Sequence, residues 1–230
     1  MLNLLERASN VALDLLFPPQ CAVCRAGGGI LCELCIAMLP LAEMPRCDRC
    51  WDDLSSGSRC THCVATPHAF ETIRAPFAHE DAARDLVHLL KYEGLTSLAR
   101  PMARQMATLA AAAPADVIVP VPLHRGRHRA RGYNQAALLA RQIAIEAELP
   151  FVPRAASRVR ATKPLAKSMD RHERASIVAG AFRADPARVE GRAVLLVDDV
   201  VTTGATLGAC SHALLDAGAR SVRAVTFTRA

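Results

Sequence analysis

An uninterrupted aliphatic run occupies residues 194–197, and two aspartates, Asp198 and Asp199, follow it directly. Such a run predicts a short strand that is buried on both faces, as in a parallel sheet. The next residues, 202–206, are small, and they lead into an apolar segment that predicts a helix over 205–217. The pattern therefore predicts a strand, a tight turn and a helix, with both carboxylates at the carboxyl end of the strand.

The same pattern of apolar positions predicts further elements on either side of this stretch. Strands are predicted at 70–79, 116–121, 151–153 and 222–228, and helices at 82–91, 95–112, 135–148 and 173–180. Strands that alternate with helices are typical of an α/β domain with a parallel sheet. The basic stretch 157–171 has no apolar period. It predicts either a mobile loop that closes over a site or a plain surface connection.

The small residues after the aspartates predict a phosphate site. Ligands of open α/β sheets bind outside the carboxyl ends of the strands. Small residues leave backbone N–H groups uncovered, and the start of a helix adds partial positive charge. The candidate phosphate-binding residues are Thr202, Thr203, Gly204, Ala205 and Thr206. Because Asp198 and Asp199 would repel the same phosphate, they must face hydroxyl groups or a cation, and the pattern predicts a ribose 5-phosphate ligand.

Arginines are concentrated between the strand predicted at 116–121 and the helix predicted at 135–148. This stretch is either a solvated basic loop or an anion site at the carboxyl end of a second strand. Its glycines would let the backbone approach a phosphate closely. The candidate anion-binding residues are Arg125, Arg129 and Arg131.

The N-terminal third carries four Cys-x-x-Cys pairs. They are Cys21 with Cys24, Cys32 with Cys35, Cys47 with Cys50, and Cys60 with Cys63. Two such pairs can complete a tetrahedral shell of thiolates, so the spacing predicts two structural zinc sites; iron–sulfur clusters are the alternative. The pairs can combine consecutively or in a cross-braced manner, and the proline-containing spacer at 40–45 favours the consecutive arrangement.

Composition narrows the possible partners and the compartment. The 230-residue chain has a net charge of +6, which permits phosphates or nucleic acid, and 4% aromatic residues, which argues against a platform that stacks many bases. Residues 1–18 predict an amphipathic helix that packs on the protein or, alternatively, lies on a membrane surface. Because no export or membrane-spanning segment is recognised, a reducing cytoplasm is expected. We predict three parts: the helix at 1–18, a double zinc ribbon at 19–66 and an α/β domain at 67–230.

The stretch 194–207 resembles the phosphoribosyl-pyrophosphate (PRPP) signature of type I phosphoribosyltransferases, in which an aliphatic run, two acids and a Thr-rich loop follow one another. The resemblance implies a type I phosphoribosyltransferase-like fold that binds PRPP with Mg²⁺. The loop would hold the 5-phosphate, Asp198 and Asp199 would take the ribose hydroxyls, and the arginines would meet the pyrophosphate. The sequence identifies neither an acceptor nor a catalytic residue, so phosphoribosyl transfer is left open.

Four tandem cysteine pairs ahead of such a domain resemble the ComF family of competence-associated double zinc ribbon proteins. Further shared motifs are residues 119–122, 131–135 and 158–162; the chain departs from the family pattern at Leu165 and Ile177. The resemblance implies a role in handling DNA taken up during natural transformation, on the cytoplasmic side and with a helicase-like partner. A non-catalytic alternative uses the fold as a scaffold for binding single-stranded DNA or as an adaptor.

Overall fold

The computed structural model describes residues 19–66, 68–162 and 171–230. The amphipathic helix predicted at 1–18, position 67 and residues 163–170 of the predicted loop lie outside the described residues. No helix in the described ranges is both long and apolar enough to cross a membrane.

A parallel sheet forms the centre of the protein, as predicted. Its strands are β1 (Ile73–Arg74), β2 (Phe77–Ala78), β3 (Val117–Pro120), β6 (Ala193–Val201) and β7 (Ser221–Arg229). Strand β6 lies between β3 and β7, and β1 and β2 pair in succession with the other edge of β7. The aliphatic start of β6 is buried, which satisfies the expectation for a strand covered on both faces.

Helices follow the strands in the order expected for an α/β domain. They are α1 (Glu33–Ala37), α2 (Thr61–Ala65), α3 (Asp81–Tyr92), α4 (Ala99–Ala111), α5 (Arg125–Arg131), α6 (Gln135–Glu146), α7 (Arg171–Val178), α8 (Pro186–Val189) and α9 (Ala205–Asp216). Helices α4 and α6 pack on each other and on the sheet. Helix α9 packs on the sheet together with α7 and a small antiparallel pair, β4 (Ala156–Arg158) and β5 (Phe182–Ala184). The fold is therefore the predicted α/β architecture.

Several local predictions were wrong. The strand predicted at 151–153 is reduced to an isolated bridge between Phe151 and Ile118, and the loop predicted from position 157 begins inside strand β4. The strand predicted at 70–79 is split into β1 and β2 around Pro76, because proline has no N–H to donate to a sheet. The arginine-rich stretch forms helix α5 instead of a loop: the His124 side chain caps its start, and Gly132 ends it at a φ of 83°. Strand β6 does not end before the aspartates but continues through them to Val201.

The chain divides into two compact units, one that ends at Leu39 and one that spans Pro40–Ala230. The second four-cysteine segment therefore shares a unit with the sheet. The indole N–H of Trp51 donates to the carbonyl of Ala75 at 2.7 Å, and the Arg229 guanidinium lies 2.7 Å from the Asp52 carboxylate. These contacts join the second cysteine segment to β7 and to the chain between β1 and β2. The predicted boundary near position 67 stays a prediction.

Candidate functional site

The carboxyl end of β6 carries a buried acidic pair that contacts a lysine from another element. Asp199 is 2% exposed, and its Oδ1 lies 3.0 Å from the Nζ of Lys91 at the end of α3. The backbone N–H of Asp199 donates to Oδ1 of Asp198 at 2.9 Å, which orients the first carboxylate. Within the described part of the chain, Oδ2 of Asp199 has no hydrogen-bond partner. A buried carboxylate oxygen without a partner is costly, so this atom is suited to a ligand hydroxyl or a cation.

The charges in this cluster shift the pKa of Asp198 and the pKa of Lys91. Burial and the adjacent Asp199 carboxylate raise the pKa of Asp198, Lys91 partly offsets them, and the pKa is about 8 as a result. Burial alone would lower the pKa of Lys91, but the Asp199 and Asp198 carboxylates outweigh burial and raise it. The ammonium group is thus firmly held, and it neutralises one of the two acids. A ligand that supplies hydroxyl donors or a metal ion would relieve the remaining repulsion.

The loop between β6 and α9 has the geometry of an anion cradle. Gly204 has a φ of 77°, a left-handed backbone conformation that glycine adopts without the strain a side chain would add, so glycine suits this turn. Gly204 also offers no side-chain cap to the first turn of α9. The loop encloses a hollow of ≈ 30 Å³ whose lining includes Asp198 and Thr206. The predicted phosphate loop and the acidic pair are therefore brought together at one end of β6.

A cation from α7 approaches this loop. Nη1 of Arg174 donates to the hydroxyl of Thr202 at 3.1 Å. The guanidinium group thus lies beside the first residue of the cradle, where it adds positive charge to that of the helix N-terminus. Arg174 was not among the predicted phosphate-binding residues, because its contact with Thr202 joins segments 28 residues apart in the chain.

The arginines of α5 lie in two different environments: some are exposed, and others contact neighbouring segments. Arg125 and Arg129 are exposed. Arg127 donates to the carbonyl of Thr162 at 2.9 Å, and Arg131 lies with its guanidinium carbon 5.1 Å from the centre of the Tyr92 ring. Of the predicted anion-binding residues, the structure therefore places only Arg131 against the ring of Tyr92.

A cavity of ≈ 700 Å³ is lined by two of these arginines and by Lys91, the partner of the acidic pair. Its lining includes Lys91, Tyr92, Arg127, Arg131 and Tyr133. Lys91 also contacts Asp199, so this residue links the cavity wall to the acidic pair. The lining holds three cations, two tyrosines and one carboxylate, Glu93, so its charge is net positive and it is suited to phosphate groups next to a sugar or an aromatic ring. Arg127 and Lys91 were not singled out from the sequence, since each depends on contacts between distant parts of the chain.

The first cysteine cluster is a candidate metal centre in the unit that ends at Leu39. Cys21, Cys24, Cys32 and Cys35 present sulfur atoms that all lie within 4.8 Å of one another. Sγ of Cys24 and Sγ of Cys32 are 3.7 Å apart. In a tetrahedral zinc site with Zn–S bonds of about 2.3 Å, sulfur atoms are separated by about 3.8 Å. The donor set and its spacing therefore fit one zinc ion.

The second cysteine cluster has the same donor set. Cys47, Cys50, Cys60 and Cys63 also lie within 4.8 Å of one another, with Sγ of Cys50 and Sγ of Cys60 3.6 Å apart. Nε2 of His68 lies 3.3 Å from Sγ of Cys63, a contact of the kind that orients metal ligands from outside the shell. The consecutive pairing of the cysteine motifs is confirmed. Both clusters fit structural zinc, since four thiolates leave no position for a reacting water.

Family comparisons agree with this architecture. The double zinc ribbon domain matches residues 12–64, and the phosphoribosyl transferase domain matches residues 130–230. DNA utilization protein YhgH of Escherichia coli K12 is 28% identical over 222 residues, which cover 91% of this chain and 96% of the relative. Competence protein F of Haemophilus influenzae is 26% identical over 225 residues (92% and 97%). Competence protein ComFC of Bacillus subtilis 168 is 27% identical over 160 residues (68% and 63%).

The fold, the two cysteine clusters and the loop after β6 define the class: a double zinc ribbon followed by a domain of the phosphoribosyltransferase type. The relatives from Escherichia coli and Haemophilus influenzae match nearly the full chain, so the similarity spans both domains. The resemblance to the ComF family that the cysteine pairs and the acidic-pair stretch predicted is confirmed by these relatives and by the two domain matches.

Proposed function

We propose that this protein binds PRPP or a related ribose phosphate at the carboxyl end of β6 and serves a competence-related role in handling DNA. The observation that carries the proposal is the buried Asp199 oxygen that has no partner among the described residues, beside an anion loop on the same strand. The acidic pair is suited to hydroxyl donors and the loop that follows it to a phosphate, and a ribose 5-phosphate supplies both.

In this proposal, different residues bind different parts of the ligand. Backbone N–H groups at 202–206 hold the 5-phosphate, with Arg174 beside the loop through Thr202. Asp198 and Asp199 accept hydrogen bonds from the ribose hydroxyls, and Arg127 and Arg131 meet the pyrophosphate in the adjoining cavity. Mg²⁺ fits this site because carboxylate and phosphate oxygens are its preferred ligands, and it would neutralise pyrophosphate charge. The acidic pair would hold it together with the ligand.

Calorimetric titration of PRPP with Mg²⁺ tests this proposal. We expect saturable binding to the parent protein and at least about a hundredfold loss, or about 2.7 kcal/mol, in the Asp198→Asn/Asp199→Asn variant. The substitutions keep the size of both side chains, and a circular dichroism spectrum checks that the variant is folded. Equal affinity in both proteins, or no binding to the parent, would refute the proposal. Pyrophosphate release in the presence of candidate acceptors would then decide whether phosphoribosyl transfer follows binding.

The exposed arginines favour a second candidate function, the binding of single-stranded DNA. Arg125 and Arg129 are exposed on α5, the helix whose Arg127 and Arg131 line the cavity together with the largely exposed ring of Tyr92. Cations along a groove with an aromatic ring suit a phosphate backbone and a stacked base. A helicase-like partner and a cytoplasmic location remain predictions from the family resemblance.

Two double variants on the same helix separate the two functions. We expect Arg125→Ala/Arg129→Ala to weaken binding of a single-stranded oligonucleotide and to reduce the slope of log K against log salt by about 0.7 for each DNA phosphate that the variant no longer neutralises. PRPP affinity should stay unchanged in this variant. Arg127→Ala/Arg131→Ala should instead weaken PRPP binding. Gel-shift titrations at several salt concentrations, together with calorimetry, measure both. If neither variant changes DNA binding, α5 is not the DNA-binding surface.

A further inference from the structure

A cavity of ≈ 310 Å³ adjoins the phosphate loop on a side that the ribose-phosphate proposal does not use. Thr203, Gly204 and Ala205 contribute both to this cavity and to the small hollow that contains Asp198. The acidic pair and Lys91 are not among the described residues that line it. The loop therefore lies between two different sites. One contains the acidic pair and Lys91, and the other has no carboxylate, lysine or arginine among the described residues that line it.

One part of the cavity wall consists of residues with little or no side chain. Ala205, Gly208 and Ala209 are spaced to share one face of α9, and all three line the cavity. Ala179 and Gly180, just after α7, contribute a further small-residue surface. A wall without projecting side chains lets a flat ring approach along its whole face, where many weak dispersion contacts add up.

Imidazole rings provide the polar part of the wall. His68 is fixed on two sides: its Nε2 lies 3.3 Å from Sγ of Cys63, and its ring stacks on Phe70 with centroids 4.8 Å apart. The His62 ring is tilted against His68 at a centroid distance of 5.1 Å, and His212 lines the cavity from α9. Because the second cysteine cluster holds the His62–His68 segment, this side of the cavity is formed before any ligand arrives.

The lining also defines the chemistry of the ligand. Among the described residues that form it there is no carboxylate, lysine or arginine, so it lacks the charged groups that hold a phosphate or an ammonium group. A mostly apolar cavity of this volume with a few convergent polar groups is typical of small-molecule sites. We propose that it binds an uncharged, planar nitrogen heterocycle, with the ring face against the small residues and the ring nitrogens hydrogen-bonded to polar side chains of the wall, among them His212 and Thr66.

Binding of two ring compounds tests this site on the full zinc-loaded chain. Benzimidazole supplies the ring alone, and adenosine supplies a ring with its sugar; free ribose is the control without a ring. We expect saturable binding of benzimidazole, adenosine or both by calorimetry and ligand-observed NMR, and none of ribose. Binding of benzimidazole alone would mean that the site takes the ring without a sugar. Absence of saturable binding for both ring compounds would overturn the proposal, and so would equal binding of ribose.

Matched variants locate the bound ring. Ala209→Leu should fill the cavity and weaken binding at least about tenfold, whereas Ala213→Leu, one turn further along α9 and not in the lining, should leave it unchanged. Ala175→Leu, at an exposed lining position on α7, repeats the test without a change in the core. The Asp198→Asn/Asp199→Asn variant should bind the ring as the parent does. Unchanged affinity in both cavity-filling variants would refute this site, whatever the outcome of the PRPP titration.

Discussion

Replacement of Cys50 by serine should unfold much of the unit Pro40–Ala230, whereas replacement of Cys24 should not. Cys50 belongs to the cysteine cluster that shares a compact unit with the sheet, and Cys24 belongs to the other unit. Zinc binding contributes on the order of 10 kcal/mol to the folding of small zinc domains, which is comparable to the whole stability of a typical domain. We expect the midpoint of thermal unfolding to fall by more than about 10 °C in Cys50→Ser.

Cys24→Ser is the matched control, since it removes one thiolate from a cluster with the same donor set. Both variants should lose about one zinc ion per chain, measured by release to a colorimetric chelator. Only Cys50→Ser should shift the cooperative transition of the sheet, followed by circular dichroism. Equal shifts in the two variants would contradict the division of the clusters between independent units.

The second large effect is expected at Lys91. Lys91→Met leaves the buried Asp198 and Asp199 carboxylates without the ammonium group that lies 3.0 Å from Asp199. Removing one partner of a buried ion pair typically costs about 3–5 kcal/mol. Because the Lys91 side chain is 21% exposed, we expect the lower end of this range, about 3 kcal/mol, as the loss in the free energy of unfolding measured with urea.

Two further variants establish the cause. In the Lys91→Met background, Asp199→Asn removes the stranded charge and should restore part of the lost stability, so that the two substitutions are not additive. Arg84→Met lies on the same helix, where its ion pair with Asp85 is exposed, and should change stability by less than about 0.5 kcal/mol. Strict additivity of Lys91→Met and Asp199→Asn would mean that their contact contributes nothing.

Sequence patterns predicted the features that depend on neighbouring residues. The aliphatic run before Asp198 is sufficient to indicate a buried strand, and the small residues up to Thr206 indicate a turn into a helix. The cysteine pairs indicated two metal sites for the same reason, because each pair is a local turn. The family resemblance added the type of fold, which the comparisons confirm.

Features that depend on contacts between distant segments were not predicted. The pairing of Lys91 with Asp199 joins α3 to the end of β6, and no periodicity links the two positions. Helix α5 was missed because its residues have no apolar face to reveal a helical period; the His124 cap and the Gly132 terminator delimit it instead. The attachment of the second cysteine segment to the sheet depends on single contacts such as that of Trp51 with Ala75.

That attachment has a consequence for any attempt to isolate the α/β domain by truncation. The N–H of Ala78 donates to the carbonyl of Pro40, and Leu41 forms an antiparallel bridge with Phe77, so the lead-in to the second cysteine cluster covers the outer edge of the sheet. A polypeptide that begins after residue 66 would leave this edge unpaired and open to association with other chains. One that begins at Pro40 would keep the edge protected, so the shortest well-behaved fragment includes a zinc site.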